Sequence, residues 1–345
     1  MMRALIAMSG GVDSSVAAYL MQQNGFSCDG AMMLLWDCDQ AGNAQDAKFI
    51  AQKLEMDFFL FNYASEFRKE VVDKFITCYE QGGTPNPCVE CNQKLKFGAL
   101  LDKAISMGYD CVATGHYAVV EKDEKSGRYL LFRSADKAKD QTYFLAGLTQ
   151  DQLAHIAFPL GALSKEQVRH IAESQGFVNA RKKDSQDICF IPDGDYLSFM
   201  KRYTGKDYPA GDFLDLAGNV VGKHGGAVGY TIGQRKGLGI ALGEPVYVCR
   251  KDMEKNTVTI GSNNNLFQST LRAKNLNWIP FPALSAPMRV TAKIRYRHIE
   301  QPATVYPEEN GIARVEFDSP QRAITAGQAV VFYDGDMVVG NGTIL

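Results

Sequence analysis

The sequence has no long apolar run, few cysteines for its length and almost no net charge. No stretch reaches the roughly 18 uninterrupted apolar residues of a membrane-spanning helix, and the opening MMRALIAM leads into Ser-Gly-Gly instead of a signal-peptide cleavage site. We therefore expect a cytoplasmic protein without a membrane partner. Lys and Arg number 37 against 39 Asp and Glu, which excludes a uniformly basic nucleic-acid coat but not a local basic face. Eight cysteines in 345 residues are too few for a disulfide scaffold, so paired cysteines indicate metal binding, catalysis or core packing.

The common nucleotide-binding motifs are also missing. The chain has neither a Gly-Lys-Ser/Thr P-loop nor a G-x-G-x-x-G dinucleotide motif. Instead, Ser-Gly-Gly-Val-Asp-Ser-Ser occupies residues 9–15, between the apolar run RALIAM and a helical pattern. Backbone N–H groups and the positive end of a helix can hold a pyrophosphate there, and Asp13 suits Mg²⁺. The simpler alternative is that Asp13 or Ser14 only caps the helix.

Alternating strand and helix patterns continue to about Gly115 and predict an α/β fold with a doubly wound parallel sheet. The strand patterns cover residues 3–8, 29–36, 57–63 and 109–117, and the helical patterns cover 14–25 and 44–56. After Asp184, Gly-rich segments and the runs 289–298, 311–317 and 329–345 predict antiparallel strands with Asp-Gly and Asn-Gly turns. We predict an α/β domain (1–200), a small β-rich central linker domain (201–265), and a C-terminal β-barrel-like domain (266–345).

Three cysteines lie in patterns that suggest chemistry. Cys88 and Cys91 form a C-x-x-C pair behind two prolines, and a helical pattern from Gln93 places Cys91 near a helix N-terminus, where its thiolate is favoured. No second C-x-x-C exists, so a closed structural zinc site is not expected. Cys189 follows the cations at 181–183, which could lower its pKa or attract an anion. Taken alone, its apolar Ile-Cys-Phe-Ile setting is more typical of a core thiol.

A series of motifs resembles a known enzyme family. SGGVDSS is similar to the PP-loop of the N-type ATP pyrophosphatases, which adenylate a carbonyl oxygen and release pyrophosphate. With TPNPCVECNQKLKFG, ATGHYA, KDQTYFL, KKDSQDICFI and YTIGQRKGLGI in this order, and RYRH and TAGQAVVFY later, the chain closely resembles the tRNA-specific 2-thiouridylases of the MnmA/TrmU family. This resemblance implies thiolation at C2 of the wobble uridine of tRNA. ATP and Mg²⁺ would be required, and a sulfur-relay protein or cysteine desulfurase would deliver the sulfur.

The resemblance also implies roles for individual residues. Cys91 would be the nucleophile, and Cys189 would carry the persulfide sulfur. The implied ATP-binding residues are Ala7, Met8, Ser9, Gly10, Gly11, Val12, Asp13, Ser14, Met33 and Gly115. The implied contacts to the base and the tRNA are Asn86, Pro87, Cys88, His116, Lys139, Asp140, Gln141, Arg295, Tyr296 and Gln328. Without the motif match, His116 is typical of an ordinary turn histidine and Gln328 of an ordinary surface residue.

Cys88 departs from familiar family members, which carry Asp at this position. Together with Cys91 and Cys189 it resembles related tRNA thiolases in which three cysteines hold a four-iron four-sulfur cluster. Two versions therefore stay open: a persulfide relay between Cys189 and Cys91, and cluster-assisted transfer. We interpret the cysteines at 28, 38, 78, 111 and 249 as core or incidental.

Two other functions stay open on the residues alone. A PP-loop amide ligase acting on a small metabolite would share the ATP loop but leave the cysteine pair unused. A non-catalytic RNA-binding protein would use a local basic surface, and residues 287–301 carry four basic side chains against Glu300 alone. A solvated strand face explains that run equally well.

Overall fold

The structure is a computed structural model that describes residues 1–36, 41–182, 188–240 and 243–345. Two sequence features, Cys38 and Lys183 of the cation run, lie outside the described residues. The strands are β1 (Arg3–Ala7), β2 (Ser27–Leu34), β3 (Phe58–Asn62), β4 (Cys111–Ala113), β5 (Ala118–Lys122), β6 (Tyr129–Arg133), β7 (Ile156–Ala157), β8 (Gly211–Leu214), β9 (Val220–His224), β10 (Tyr247–Asp252), β11 (Thr257–Gly261), β12 (Phe267–Trp278), β13 (Met288–Lys293), β14 (Gln301–Pro307), β15 (Ala313–Arg322), β16 (Ala329–Asp334) and β17 (Met337–Ile344).

The α-helices are α1 (Val12–Gln23), α2 (Ala41–Lys53), α3 (Ala64–Phe67), α4 (Asp73–Glu80), α5 (Pro87–Glu90), α6 (Leu100–Ser106), α7 (Thr142–Leu145), α8 (Gln150–Ala154), α9 (Lys165–Ser174) and α10 (Tyr196–Thr204). The π-helical stretch Arg68–Val72 joins α3 to α4, and Cys91–Ala99 joins α5 to α6. Short 3₁₀ turns cover Ala227–Gly229, Asn263–Leu266 and Glu309–Gly311. Within the described ranges, every helix is too short or too polar to span a lipid bilayer.

The N-terminal part forms the predicted doubly wound sheet, with strands in the order β3-β2-β1-β4-β7, all paired in parallel. Successive side chains of β1 point to opposite faces, as in any strand. Leu5 packs with Leu100 and Leu101 of α6, while Ile6 packs with Val16 of α1. Helices therefore cover both faces of the sheet, and the α/β prediction is confirmed. β4 is shorter than the predicted strand because the chain leaves the sheet after Ala113.

The C-terminal strands form a closed antiparallel barrel in the order β12-β15-β14-β13-β16-β17, and β17 pairs back to β12. This confirms the predicted β-barrel. The Asp334-Gly335 pair makes the predicted turn between β16 and β17, but Asn341-Gly342 does not turn, because it lies inside β17. β13 ends at Lys293, so Arg295 and Tyr296 follow the strand and do not belong to it. Between sheet and barrel lies a small sheet in the order β10-β11-β8-β9.

The β5–β6 hairpin joins the N-terminal part to the barrel. β6 pairs with β17 through Phe132 and Met337, which extends the barrel sheet by residues from the first half of the chain. One apolar cluster contains Leu131 and Tyr143 together with Val331 and Val338 of the barrel. The N-terminal part and the barrel therefore share a core, and the three domain limits drawn from the sequence stay predictions.

The segment after β4 lies against the start of α1. A Cβ atom on Gly115 would sit 2.6 Å from the Asp13 carbonyl carbon and 2.7 Å from the Ser14 nitrogen, far inside van der Waals contact. Gly10 is equally restricted, since its φ is +72° and a Cβ would lie 2.3 Å from the Asn43 carbonyl oxygen. These close approaches fix the shape of the loop between β1 and α1.

Gly115→Ala is expected to displace that loop. The new methyl group meets backbone atoms that cannot move independently, so we expect a loss of stability of about 1–3 kcal/mol, as for other overpacked sites, and weaker ATP binding. Thermal unfolding and calorimetric titration with ATP measure both effects. Gly225→Ala is the control, because a Cβ there meets nothing within 4 Å. Unchanged ATP affinity in Gly115→Ala would contradict the placement of the nucleotide at this loop.

Candidate active site

The phosphate loop, residues 9–15, connects β1 to α1. Gly11 is the N-cap of α1, and no side chain in the described part of the chain makes a capping hydrogen bond there. Ser14 Oγ donates to the Gly11 carbonyl at 3.0 Å and lies 3.2 Å from the Ser9 backbone nitrogen, from which it accepts. The capping alternative for Asp13 and Ser14 is therefore wrong. The first helical turn keeps backbone N–H groups without helical acceptors, as an anion site requires.

The other predicted nucleotide-binding residues surround this loop. Ala7 ends β1, and the Met8 backbone nitrogen donates to the Ala31 carbonyl of β2 at 2.7 Å. Met33, half-buried, lies near the carboxyl end of β2. Gly115 touches the loop backbone, as described above. The structure thus brings the predicted nucleotide-binding set to the carboxyl edge of the parallel sheet, where ligands of this fold class bind.

Lys165 holds Asp13 in an almost buried ion pair. Its Nζ lies 2.7 Å from Oδ1 and 2.8 Å from Oδ2, and the Tyr117 hydroxyl donates to Oδ1 at 2.9 Å. Lys165 is 9% exposed. The Asp13 side chain is 30% exposed, and a carboxylate offers about four acceptor sites, so Asp13 fits the predicted Mg²⁺ role while Lys165 stays paired with it.

A second cation contacts the opposite side of the loop. Lys182 Nζ donates to the Gly10 carbonyl at 3.2 Å and to Asn43 Oδ1 and Asp46 Oδ2 at 2.7 Å each. Asn179 Nδ2 donates to the same carbonyl at 3.2 Å, while its Oδ1 is buried without a partner among the described residues. Of the run 181–183, Lys182 therefore lies against the phosphate loop, and the two roles predicted for these cations stay predictions.

The helix that carries the cysteine pair begins earlier than predicted. Asn86 is the N-cap of α5, and its Oδ1 accepts from the Cys88 backbone nitrogen at 3.2 Å, with Pro87 in the first turn. Helical backbone then runs without a break through Cys91, so the predicted start at Gln93 is wrong. The N-cap oxygen and the proline together fix this start. Cys88 is exposed and Cys91 is half-buried.

Cys91 packs on an aromatic cluster formed by Trp36, Phe67, Phe75, Phe190 and Phe199. The Phe190 ring lies 5.4 Å from Phe75 and 5.3 Å from Phe199, measured between centroids. Ile188 also packs on this cluster, so both neighbours of the exposed Cys189 are anchored where Cys91 lies. The structure thus brings the segments of the two predicted catalytic cysteines together on one apolar surface.

The surroundings of the C-x-x-C pair disfavour the thiolate form of both cysteines. Desolvation raises the pKa of Cys91 to about 11, against a smaller lowering by Lys96, and it also raises the pKa of the Cys88 thiol. The prediction of a favoured Cys91 thiolate is wrong, because the loss of water around the sulfur outweighs the helix N-terminus and the nearby cation.

No disulfide involves the described cysteines. The described residues also contain no group of three or more His, Cys, Asp or Glu side chains placed to hold a metal ion. Cys88, Cys91 and Cys189 therefore do not converge in the arrangement that an iron–sulfur cluster needs, and no step of the chemistry is assigned to one.

Two short segments connect the phosphate loop to the cysteines. In the first, Gly115 touches the loop while the His116 ring lies 5.7 Å from Phe97 of the cysteine-bearing helix. Burial and then Lys96 hold the pKa of His116 well below its ordinary value, and its Nδ1 is 2.7 Å from Thr114 Oγ1. The second segment contacts the loop through Asn179 and Lys182 and reaches the aromatic cluster at Ile188 and Phe190.

The remaining residues implied in tRNA contact lie on the segment before α7 and on the barrel. Asp140 is buried, accepts from Thr142 Oγ1 at 2.7 Å and has a raised pKa because of desolvation. Gln141 Oε1 accepts from the Tyr117 backbone nitrogen at 3.0 Å. The Tyr296 ring centroid lies 4.3 Å from that of Phe144, and burial, with a smaller contribution from the Asp140 charge, raises the pKa of Tyr296.

Arg295 and Gln328 donate hydrogen bonds to backbone carbonyls of the protein itself. Arg295 Nη2 donates to the Ile232 and Ala323 carbonyls at 3.0 Å each. Gln328 Nε2 donates to the Thr84 carbonyl at 2.7 Å, just before the cysteine pair. The roles of all these residues toward tRNA stay predictions.

Sequence reasoning missed Lys96 and Lys165. Lys165 lies 152 positions from Asp13, and its only local signal is the Ser164–Gln167 capping box at the start of α9. Lys96 is five positions beyond Cys91, and in an α-helix two residues at this spacing do not share a face. The π-helical backbone of Cys91–Ala99 needs more residues per turn and so brings position i+5 toward the same face.

Lys96→Met is expected to slow alkylation of Cys91 by iodoacetamide about threefold, because losing a nearby cation raises the thiol pKa further. In the unmodified protein the rate should keep rising through pH 9, since burial raises the pKa of Cys91 to about 11. Peptide mapping by mass spectrometry gives the rate at each cysteine. Lys94→Met, an exposed lysine of the same helix, is the matched control. A plateau below pH 9, or equal effects of both variants, would contradict this electrostatic picture.

Three family models match consecutive parts of the chain. One described as a tRNA methyl transferase HUP domain matches residues 2–193, a tRNA methyl transferase PRC-barrel domain matches 197–262, and an aminomethyltransferase beta-barrel domain matches 268–344. Among solved structures, a 4-thiouridine synthetase in complex with RNA and ATP is 17% identical, with a TM-score of 0.37 over 55% of this chain and 45% of that one.

Relatives similar over their full length share one name, tRNA-specific 2-thiouridylase MnmA. That of Acetivibrio thermocellus is 48% identical over 99% of this chain and 99% of its own. That of Clostridioides difficile is 46% identical over 99% and 98%, and that of Symbiobacterium thermophilum is 47% identical over 99% and 92%. By this similarity along its whole length, the chain belongs to the family of the tRNA-specific 2-thiouridylases named MnmA.

Proposed function

We propose that this protein is a cytoplasmic tRNA 2-thiouridine synthase, which uses ATP to replace the C2 oxygen of the wobble uridine with sulfur. The observation that carries the proposal is that Asn179 and Lys182 contact the phosphate loop, while Ile188 and Phe190 pack on the aromatic cluster that Cys91 also contacts. An ATP site and a thiol site so connected suit activation followed by sulfur transfer. An amide ligase would have no use for the cysteines, and the full-length relatives are named for thiolation.

The phosphate loop supports the activation step. The C2 oxygen of uridine attacks the α-phosphorus of ATP, and pyrophosphate leaves. First-turn N–H groups of α1, with Lys165 and Lys182 beside them, stabilise negative charge on the phosphates. Mg²⁺, held by the phosphates and by Asp13, would add charge neutralisation.

The cysteine site supports the transfer step. The terminal sulfur of a Cys189 persulfide attacks C2, and AMP leaves with the original oxygen. The Cys91 thiolate then attacks Cys189 Sγ, which forms a Cys91–Cys189 disulfide, breaks the bond to the transferred sulfur and leaves that sulfur on C2. A thiol reductant reopens the disulfide, and a sulfur-relay protein or cysteine desulfurase reloads Cys189. The exposure of Cys189 suits reloading by a protein donor.

The tRNA would bind across the catalytic part and the barrel. Tyr296 and Phe144 offer an aromatic surface for an unstacked base, and the exposed Arg297 lies next to Tyr296 in the chain. The wobble uridine is in a single-stranded loop, which lowers the cost of moving it into a pocket. Phosphate contacts by Lys and Arg make the binding salt-sensitive.

Cys189→Ser and Cys91→Ser should each lower 2-thiouridine formation on the order of 100-fold or more, because each removes a sulfur that forms a covalent bond in the reaction. The tRNA-dependent release of pyrophosphate should persist in both variants, since activation precedes sulfur transfer. Mass spectrometry of tRNA nucleosides and a pyrophosphate assay give the two rates. Cys249→Ser is the control, a half-buried cysteine on β10. Thiolation by Cys189→Ser at the rate of the unmodified protein would overturn the relay.

Cys88→Ser separates the persulfide relay, which does not use the Cys88 thiol, from the cluster-assisted version, which needs it as an iron ligand. The three cysteines do not form a metal-binding group among the described residues, so we expect the anaerobically purified variant to retain 2-thiouridine formation from a persulfide donor. The assay compares it with the unmodified protein in ATP and Mg²⁺. Activity lost in the variant, together with iron bound to the unmodified protein, would favour the cluster.

A further inference from the structure

A partly buried ion pair joins the end of β6 to the barrel. Arg133, the last residue of β6, donates from Nη2 to the carboxylate of Glu300. Glu300 ends the β13–β14 loop, residues 294–300, which also carries Arg295 and Tyr296. The two side chains are 15% and 27% exposed, so solvent screens this pair less than a surface pair. The Arg133 guanidinium is therefore attached to the loop that holds two of the implied tRNA contacts.

The same guanidinium reaches a second segment through buried polar groups. It lies 4.0 Å from the ring centroid of Tyr333, whose hydroxyl is 3.3 Å from Thr142 Oγ1. Thr142 Oγ1 donates to Asp140 Oδ2 at 2.7 Å, so its single proton is used and the Tyr333 hydroxyl must be the donor to Thr142. The backbone nitrogen of Ser134, next to Arg133 in the chain, donates to Asp140 Oδ1 at 3.3 Å. Both carboxylate oxygens of Asp140 are thus held from the Arg133 side.

Asp140 depends on these contacts because it is buried. It is the middle residue of the segment 139–141, which the family resemblance implies in tRNA contact, and it is 8% exposed. Burial raises the pKa of the Asp140 carboxyl, against lowering by its hydrogen bonds and by the charge of Arg133. Loss of Arg133 would therefore make the buried carboxylate more costly and loosen the segment that it anchors.

The β13–β14 loop and the chain after 139–141 also meet directly. The ring centroid of Tyr296 lies 4.3 Å from that of Phe144 and 6.1 Å from that of Tyr143. Both partners belong to α7, which begins immediately after Gln141. The spacing between loop and helix therefore sets the shape of the aromatic surface that an unstacked base would meet.

We propose that Arg133 is a positioning residue for tRNA, which holds the β13–β14 loop through Glu300 and the segment 139–141 through Tyr333 and Asp140. This inference rests on the proposed function, because it takes tRNA as the substrate. Neither Arg133 nor Glu300 is among the residues that the family resemblance implies in tRNA contact. Arginine suits this place, since its planar guanidinium stays charged and can pair with a carboxylate while it lies on an aromatic ring.

Three substitutions separate the parts of this arrangement. Arg133→Met removes the charge and keeps a long side chain, whereas Arg133→Lys keeps the charge without the planar group. Glu300→Gln removes only the negative charge of the β13–β14 loop. Glu308→Gln is the matched control, because Glu308 is another barrel glutamate in an ion pair, 3.0 Å from Arg272, and is 24% exposed.

Four quantities are measured on each variant. Amide hydrogen exchange of the peptides 134–145 and 294–300 is followed in the tRNA-free protein, with β1 to β3 as the internal reference. Filter binding gives the Kd for unmodified tRNA, and calorimetric titration gives the Kd for ATP. Single-turnover formation of 2-thiouridine is measured at saturating tRNA.

In Arg133→Met we expect faster exchange in both peptides and unchanged exchange in β1 to β3. The tRNA Kd should rise about tenfold, a loss typical of one charge-assisted hydrogen bond. The ATP Kd and the rate at saturating tRNA should stay within about twofold, because a general loss of structure would change them and a positioning role in tRNA binding does not. Arg133→Lys should fall between Arg133→Met and the unmodified protein.

Glu300→Gln gives the sharpest result and carries the test if Arg133→Met does not fold. The variant is more positive by one charge, so unspecific attraction to phosphates would tighten tRNA binding. Lost positioning instead weakens it, and we expect the tRNA Kd to rise about threefold, with Glu308→Gln binding at least as tightly as the unmodified protein. Unchanged or tighter tRNA binding by Glu300→Gln, or unchanged exchange in both peptides, overturns the inference.

Failure of the proposed function is seen separately. If the unmodified protein binds tRNA but forms no 2-thiouridine, the proposed function fails, while exchange and tRNA affinity still decide the role of Arg133. If the unmodified protein does not bind tRNA, this inference is overturned as well.

Discussion

The aromatic cluster beneath Cys91 is the constraint on which the site depends. It gathers Trp36 from the residues after β2, Phe67 and Phe75 from the helical segment after β3, and Phe190 from the Cys189 segment, and Cys91 packs against it. The burial that positions the thiol also raises its pKa to about 11. The packing that fixes the position of Cys91 therefore also lowers the fraction of its reactive thiolate form. At neutral pH Cys91 therefore stays a thiol, which is less readily oxidised than a thiolate.

The charged side chains at the phosphate loop are likewise held by contacts within the protein. Lys165 and Lys182 are already paired with Asp13 and Asp46 before any nucleotide arrives. Unpaired, these partly buried groups would each lose hydration without compensation. In the proposed function the phosphates would add negative charge beside these pairs, and Mg²⁺ and the N–H groups of α1 would help to balance it.

Sequence patterns correctly predicted the elements whose conformation depends on residues close by in the chain. Alternation and helical spacing gave the parallel sheet, and the Ser-Gly-Gly-Val-Asp-Ser-Ser string gave the loop, because strand, turn and helix there are set by neighbouring residues. Lys165 could not be found this way, since it meets Asp13 through tertiary folding. The prediction of a favoured Cys91 thiolate is wrong for the same reason. The helix position of Cys91 favours the thiolate, but residues up to about a hundred positions away in the chain exclude water from the sulfur. For Asn86 the motif match predicts a tRNA contact, whereas its role as N-cap explains why the helix starts at Pro87.

The β5–β6 hairpin has a consequence for how the protein is made. β6 pairs with β17, roughly two hundred residues later in the chain. During synthesis the hairpin leaves the ribosome long before its partner strand exists, and its edge is then open to pairing with other chains. The shared sheet is completed when β17 has been added, and the contact of Gln328 with Thr84, just before the cysteine pair, forms at the same late stage. The order of translation therefore delays the finished thiol site until the barrel has closed.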